Sequence, residues 1–171
     1  MIEVRPAGEG DIAGIATIYE REVREGYATF DTTPPTGEAW RAKIGASEPG
    51  DHFLVAVADG RVLGYAYAGP YRPRPGYRHT RETSVYVAPD ATGRGLGRRL
   101  YDELLALLRE DRVHTLVAGI ALPNPASEAL HHAVGFRELG VMREVGRKLD
   151  RWVDVGWWQQ RLDPEPGRDL R

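Results

Sequence analysis

No cysteine occurs anywhere in the 171 residues. A disulfide framework, a thiolate metal site and a cysteine nucleophile are therefore excluded. A charge excess of either sign is missing too: 23 Lys and Arg stand against 25 Asp and Glu, for a net charge of -2. With no basic surplus to neutralise phosphates, no nucleic-acid partner is expected. No apolar run approaches the roughly 18 residues of a membrane-spanning helix, so no membrane partner is expected either. The start, Met1-Ile2-Glu3-Val4-Arg5-Pro6, has neither the basic head nor the apolar block of a secretory signal. A cytoplasmic location is the expectation. What is present, 42% hydrophobic and 28% charged residues, is the balance of a globular chain of one-domain length. The single domain is expected over residues 1–162, with 163–171 as a frayed tail.

Periodicity then orders the chain. Ile2 and Val4 alternate with Glu3 and Arg5 as a short strand. Ile12, Ile15, Tyr19 and Val23 recur at helical intervals. Thr36 is placed to cap a short helix carrying Trp40 and Ile44. Two strand-like runs, from Phe53 to Val57 and from Val62 to Tyr67, flank Asp59-Gly60, a hairpin signature. After the loop Gly69 to Gly76, a strand is predicted from Thr83 to Ala88. A glycine turn from Gly93 to Gly97 then feeds a helix with Leu100, Leu104, Leu107 and Leu108 on one stripe. Thr115 to Leu122 is a strand. Asn124-Pro125 opens a helix that closes at Gly135, and two strands, around Val141–Val145 and Val153–Gln160, finish the chain.

Three places carry chemistry. The turn Gly93-Arg94-Gly95-Leu96-Gly97-Arg98-Arg99 joins a strand to a helix. Glycines let a backbone approach a ligand closely, and a helix start offers unpaired N–H groups to an anion. Three arginines at the positive end of a helix dipole are unfavourable unless a polyanion binds there, which points to a pyrophosphate. In the preceding strand, Glu82, Ser84 and Tyr86 face one side, and Thr83, Val85 and Val87 the other. Glu82 is either a general base leading into the anion site or a surface carboxylate paired with Arg81 or His79. Arg72-Pro73-Arg74-Pro75 holds two arginines extended before prolines, suited to bidentate oxyanion recognition or simply an exposed basic loop.

Taken together, these stretches resemble the GNAT superfamily of N-acetyltransferases, and within it the phosphinothricin and methionine sulfoximine acetyltransferases. The matching segments are Gly64 to Pro70, Glu82 to Val87, Gly95 to Tyr101, Leu122-Pro123-Asn124 with His131, and Trp152 to Gln159. Their joint order covers about Ile2 to Leu162. The resemblance implies an α/β (α+β) fold: a mixed, mostly antiparallel sheet of about seven strands with about four helices, splayed between the fourth and fifth strands. It implies acetyl-CoA as cosubstrate, no metal, and acetyl transfer to the α-amino group of a small anionic amino acid by direct attack in a ternary complex; the alternatives are an acetyltransferase for peptide N-termini or other small amines and a non-catalytic CoA-binding sensor.

Residue by residue, it makes Glu82 the general base and offers His131 as the proton donor, with Tyr86 or Tyr101 as alternatives, Tyr101 also fitting the apolar stripe of its helix. A buried, hydrogen-bonded core histidine is the alternative for His131. Acetyl-CoA would lie on Val85, Tyr86 and Val87, on the turn Gly93, Arg94, Gly95, Leu96, Gly97 and Arg98, and on Asn124 and Ser127. Phe30, Arg72, Arg74 and Tyr77 would bind the acceptor, and the aromatic last strand would either be core or pair across a homodimer interface. Thr92 departs from the superfamily, which has Arg or Gln there, so that side chain's contribution to the turn is lost while the backbone donors remain.

Overall fold

Ile15, Tyr19 and Val23 are all buried on one stripe of the first long helix, and the remaining elements follow from the same patterning. The structure is a computed structural model, and it describes residues 1–162. The expected tail, 163–171, lies outside the described residues. In chain order the elements are β1 (Glu3–Pro6), α1 (Ile12–Glu25), α2 (Gly37–Ile44), β2 (His52–Ala58), β3 (Arg61–Pro70) and β4 (Thr80–Val87). They continue with α3 (Leu96–Glu110), β5 (Thr115–Leu122), α4 (Pro125–Ala133), β6 (Arg137–Lys148) and β7 (Arg151–Arg161).

The strands form one seven-stranded sheet in the order β1-β2-β3-β4-β5-β7-β6. Every pairing is antiparallel except β4 with β5. One face carries Phe53, Tyr65, Tyr67 and Tyr86, which pack against Tyr19 of α1 and Trp40 of α2. The other face meets α3, whose Leu96, Leu100, Leu104 and Leu108 are almost completely buried. The alternation expected for β4 is the one observed: Tyr86 stacks on Tyr65 and meets Tyr19 edge-on, while Thr83 on the opposite face reaches Tyr101 of α3.

The β4–β5 ladder is short. Thr80, Arg81 and Glu82 pair with Thr115, Leu116 and Val117, and there the pairing stops, although both strands run on. Beyond that point β5 remains paired with β7 and β4 with β3. The sheet therefore opens into a V between its two halves, as the resemblance implied.

Both tight turns adopt left-handed backbone at their two central residues, which matches the twist of a hairpin. Asp59-Gly60 shows φ of 52° and 75°, and Leu149-Asp150 shows 47° and 57°. The first was legible in the sequence; a leucine in that conformation carries no such signature. β6 is also longer than the segment expected around Val141–Val145. As an edge strand it is exposed along most of its length, so burial imposes no clean alternation on its sequence. β4 starts at Thr80, three residues before the expected Thr83.

Candidate active site

The V in the sheet is the mouth of a cleft of about 770 Å³, bounded by β4, the glycine turn, the start of α3, β5, α4 and the loop after α1. Three pieces of local structure equip it.

The first is the free edge of β4. Ala88 donates its N–H to Leu63 of β3 at 2.8 Å, so Leu63–Ala88 is a hydrogen-bonded pair. Register then makes Tyr65–Tyr86 and Tyr67–Ser84 hydrogen-bonded pairs as well. By alternation the peptide groups of Val85 and Val87 point the other way, into the V. The peptide groups of Tyr86 are turned toward β3, and its contribution to the cleft is its ring.

The second is the turn into α3. Gly93 and Gly95 take φ of +74° and +73°, where a side chain is strained. The first helical hydrogen bond runs from the N–H of Arg99 to the Gly95 carbonyl, which leaves the amides of Leu96, Gly97 and Arg98 without a helical acceptor. Gly97 also lies against α4: a Cβ there would stand 2.8 Å from Leu130. Of the three arginines, Arg98 pairs with Asp102 at 3.0 Å and Arg99 reaches back to the Ile2 carbonyl at 3.2 Å. Arg94 is exposed and does not line the cleft. What this turn offers the cleft is chiefly backbone N–H groups.

The third is α4. Asn124 Oδ1 accepts from the Ser127 N–H at 3.1 Å, so the expected cap is present, and both residues line the cleft. His131 lies one turn on and is 3% exposed. Its Nδ1 stands 2.8 Å from the Ser127 carbonyl, which can only accept, so Nδ1 carries the proton. Nε2 then accepts from the Tyr101 hydroxyl at 2.8 Å, and that hydroxyl accepts from Thr83 at 3.2 Å. Burial holds the imidazole below its ordinary pKa, in the neutral form this network requires.

Glu82 stands at the last rung of the β4–β5 ladder and lines the cleft. Burial raises its pKa; Arg72 and Lys43, through their charge, act in the opposite direction. It enters no ion pair among the described residues. Arg81, the partner contemplated from sequence, is buried on the opposite face against Asp51 at 3.2 Å. Tyr86 is turned inward, its hydroxyl donating to the Ala28 carbonyl at 3.3 Å, and burial raises its pKa well above the ordinary value.

Of the expected acceptor residues, Phe30 lines the cleft. Arg72, Arg74 and Tyr77 lie exposed on the loop between β3 and β4 and do not form its walls. The Arg72 guanidinium sits 5.0 Å over the Tyr71 ring, which also meets Tyr77 and Trp157 edge-on. Sequence reasoning missed Lys43, whose ammonium lies 3.7 Å over the Tyr67 ring. Tyr67 itself lines the cleft. Nothing local in the sequence marks a lysine at the end of α2 as belonging to a site assembled on β4.

A family model described as acetyltransferase (GNAT) family matches residues 12–136. A phosphinothricin N-acetyltransferase of Streptomyces coelicolor is 44% identical, over 94% of this chain and 96% of its own. An L-methionine sulfoximine/L-methionine sulfone acetyltransferase of Pseudomonas aeruginosa is 41% identical, over 94% and 95%. Among solved structures, a phosphinothricin acetyltransferase of Sinorhizobium meliloti in complex with acetyl-CoA superimposes with a TM-score of 0.88 at 34% identity, over 98% and 94% of the two chains. A splayed sheet with a turn of unpaired backbone amides at the opening, and relatives alike over more than nine-tenths of the chain, lead to one assignment: this chain belongs to the acetyltransferase (GNAT) family.

Proposed function

We propose that the protein transfers the acetyl group of acetyl-CoA to the α-amino group of a small anionic amino acid of the phosphinothricin or methionine sulfone type. The observation that carries this reading is Glu82: a half-buried carboxylate without an ion pair, at the opening of a cleft whose other end is a ring of unpaired amides. The relatives' names supply the acceptor class.

The cleft fits the cosubstrate by its own geometry. A pyrophosphate suits the amides of Leu96, Gly97 and Arg98, with Gly93 and Gly95 giving the turn its shape. An extended pantetheine arm can continue the β4 edge through the groups of Val85 and Val87, and Asn124 and Ser127 face it from α4. Bound there, acetyl-CoA supplies an activated acyl group as a thioester.

The chain's own residues manage the protons and the developing charge. An α-amino group is largely protonated near neutral pH. Glu82, with a pKa raised toward that range, takes its proton directly or through a water. The N–H of Val85 or Val87 can hold the carbonyl oxygen as it gains charge. His131 and Tyr86 both line the cleft as candidates to return a proton to the thiolate, and each must first release the one it holds, His131 from the Ser127 carbonyl and Tyr86 from the Ala28 carbonyl. Arg72 and Lys43 place positive charge beside Glu82, where an acceptor carboxylate would lie. Arg74 and Tyr77 fit the same reading as the outer rim of the acceptor end.

The reading extends to the assembly and location. Residues 1–162 act as one catalytic domain. A homodimer is supported by exposed Leu139, Met142 and Val145 on edge strand β6 and by Trp152 beside them. A cytoplasmic location follows the supply of acetyl-CoA. Among the described residues no helix is long and apolar enough to cross a membrane.

The test is release of CoA from acetyl-CoA with phosphinothricin, methionine sulfone and a polyamine as acceptors, for wild type and Glu82→Gln. Turnover is expected on the two anionic acceptors only. Loss of a general base should lower kcat by about 100-fold or more with acetyl-CoA affinity retained. Turnover on the polyamine alone, or a Glu82→Gln variant as fast as wild type, would overturn the assignment.

A further inference from the structure

The ring of Phe30 lies across the backbone of β6 at Gly146. A Cβ built on Gly146 would stand 2.4 Å from Cε1, 2.5 Å from Cζ and 2.8 Å from Cδ1 of that ring. Gly146 is not among the residues with left-handed backbone, so conformational freedom does not account for a glycine there. The aromatic ring does.

The loop bearing Phe30 cannot simply lift away, because it is fastened on both sides. Lys148, 4% exposed, donates from Nζ to the carbonyls of Glu22 at 2.6 Å and Thr29 at 2.8 Å. This ammonium ties the end of β6 to both the last turn of α1 and the residue before Phe30. The Tyr19 hydroxyl accepts from Thr29 Oγ1 and donates to Asp31 Oδ2, each at 2.7 Å. The Asp31 N–H in turn donates to Thr29 Oγ1 at 3.1 Å. With Thr29 and Asp31 both pinned, a side chain at 146 would displace the Phe30 ring rather than the loop. Phe30 lines the cleft and is 39% exposed, so the space open to a displaced ring is the mouth of the cleft.

We infer that Gly146 is a specificity-determining position: by seating the Phe30 ring on β6, it sets the depth of the acceptor end of the cleft. The inference rests on the proposed acceptor reading. Its substrate consequence is a limit on acceptor side-chain length imposed from a strand that contributes no wall residue of its own.

The experiment compares wild type, Gly146→Ala, Phe30→Leu and the Gly146→Ala/Phe30→Leu double variant. Acceptors are methionine sulfone and ethionine sulfone, one methylene longer, with acetyl-CoA affinity and thermal melting measured in parallel. Gly146→Ala should reduce kcat/KM roughly 10-fold or more, through KM, and more steeply for the longer acceptor, since one methylene in an apolar pocket discriminates on that scale. Acetyl-CoA affinity should stay within twofold, and adding Phe30→Leu should restore the preference. If Gly146→Ala does not fold, Phe30→Leu alone decides: a shorter side chain on the unchanged seat should shift preference toward ethionine sulfone. An equal loss on both acceptors, or a preference unmoved by Phe30→Leu, overturns the inference while wild-type turnover leaves the function standing. No wild-type turnover on either sulfone overturns the inference, and the function with it if phosphinothricin is not turned over either.

Discussion

As the proposed base, Glu82 joins two requirements that pull against each other. A carboxylate used as a base near neutral pH must be partly withdrawn from water, and withdrawal makes its charged form costly to the fold. Its folded pKa is raised by burial above the ordinary 4.5. Between those two values the folded state binds more protons than the unfolded state, so the fold loses stability as pH rises through that window. Glu82→Gln should therefore melt higher than wild type at pH 7, with the gain disappearing below about pH 4. A variant that melted lower at pH 7 would show that the carboxylate stabilises the fold instead. The acid limb of the acetyl-transfer rate should follow the same group and lie above the usual carboxylate range. Because the Lys43 charge favours ionised Glu82, Lys43→Met should move that limb to still higher pH. An unchanged limb in Lys43→Met would separate the lysine from the base.

At the scale of elements, the turn into α3 and the cap of α4 were legible because each rests on a local rule. Asn before Pro marks a helix start, and glycines in quick succession mark a backbone that must turn left-handed. The cleft itself was not legible in that way. Lys43 comes from α2 and reaches Tyr67 of β3, while Phe30, expected only through the resemblance, comes from an irregular loop and meets Gly146 of an edge strand with no clean alternation. The Phe30–Gly146 contact spans more than a hundred residues of sequence, which no local pattern encodes. The three arginines show the converse. They crowd in sequence, yet Arg99 turns to Ile2 and Arg98 to Asp102. Asn124 offers a clean separation of structural and binding roles, since its Oδ1 is spent on Ser127 while its amide nitrogen remains for a ligand. Asn124→Ala should lose about 1 kcal/mol of cap and melt roughly 2–4 °C lower. Asn124→Asp keeps the accepting oxygen and should melt as wild type, but it lacks the amide donor, so both variants should bind acetyl-CoA more weakly. Normal affinity in Asn124→Asp would confine the residue to capping.

For the whole molecule the decisive feature is that the sheet is nearly cut in two. Strands β1 to β4 and strands β5 to β7 share three residue pairs and then part. Helix α3 packs on β2, β3 and β4 and touches α4. The buried chain Thr83–Tyr101–His131–Ser127 carries hydrogen bonding from β4 through α3 into α4. A ligand lying in the V would complete what the strands leave open, pairing with Val85 and Val87 on one side and meeting Asn124 and Ser127 on the other. Acetyl-CoA should therefore act as a structural tie as well as a substrate. At a hundred times its dissociation constant it should add about 2.7 kcal/mol of stability, a rise of roughly 5–10 °C in melting temperature. Such a rise alone would follow from any tight ligand, so the distribution of the effect matters more. Amide hydrogen exchange should slow most at Val85, Val87 and the first turn of α3, the donors that face the opening. The amides of Ser84 and Tyr86, already paired with β3, should change least on that strand. Protection spread evenly along β4, or confined to the surface of β6, would mean that the cosubstrate does not bind as the missing rung of the sheet.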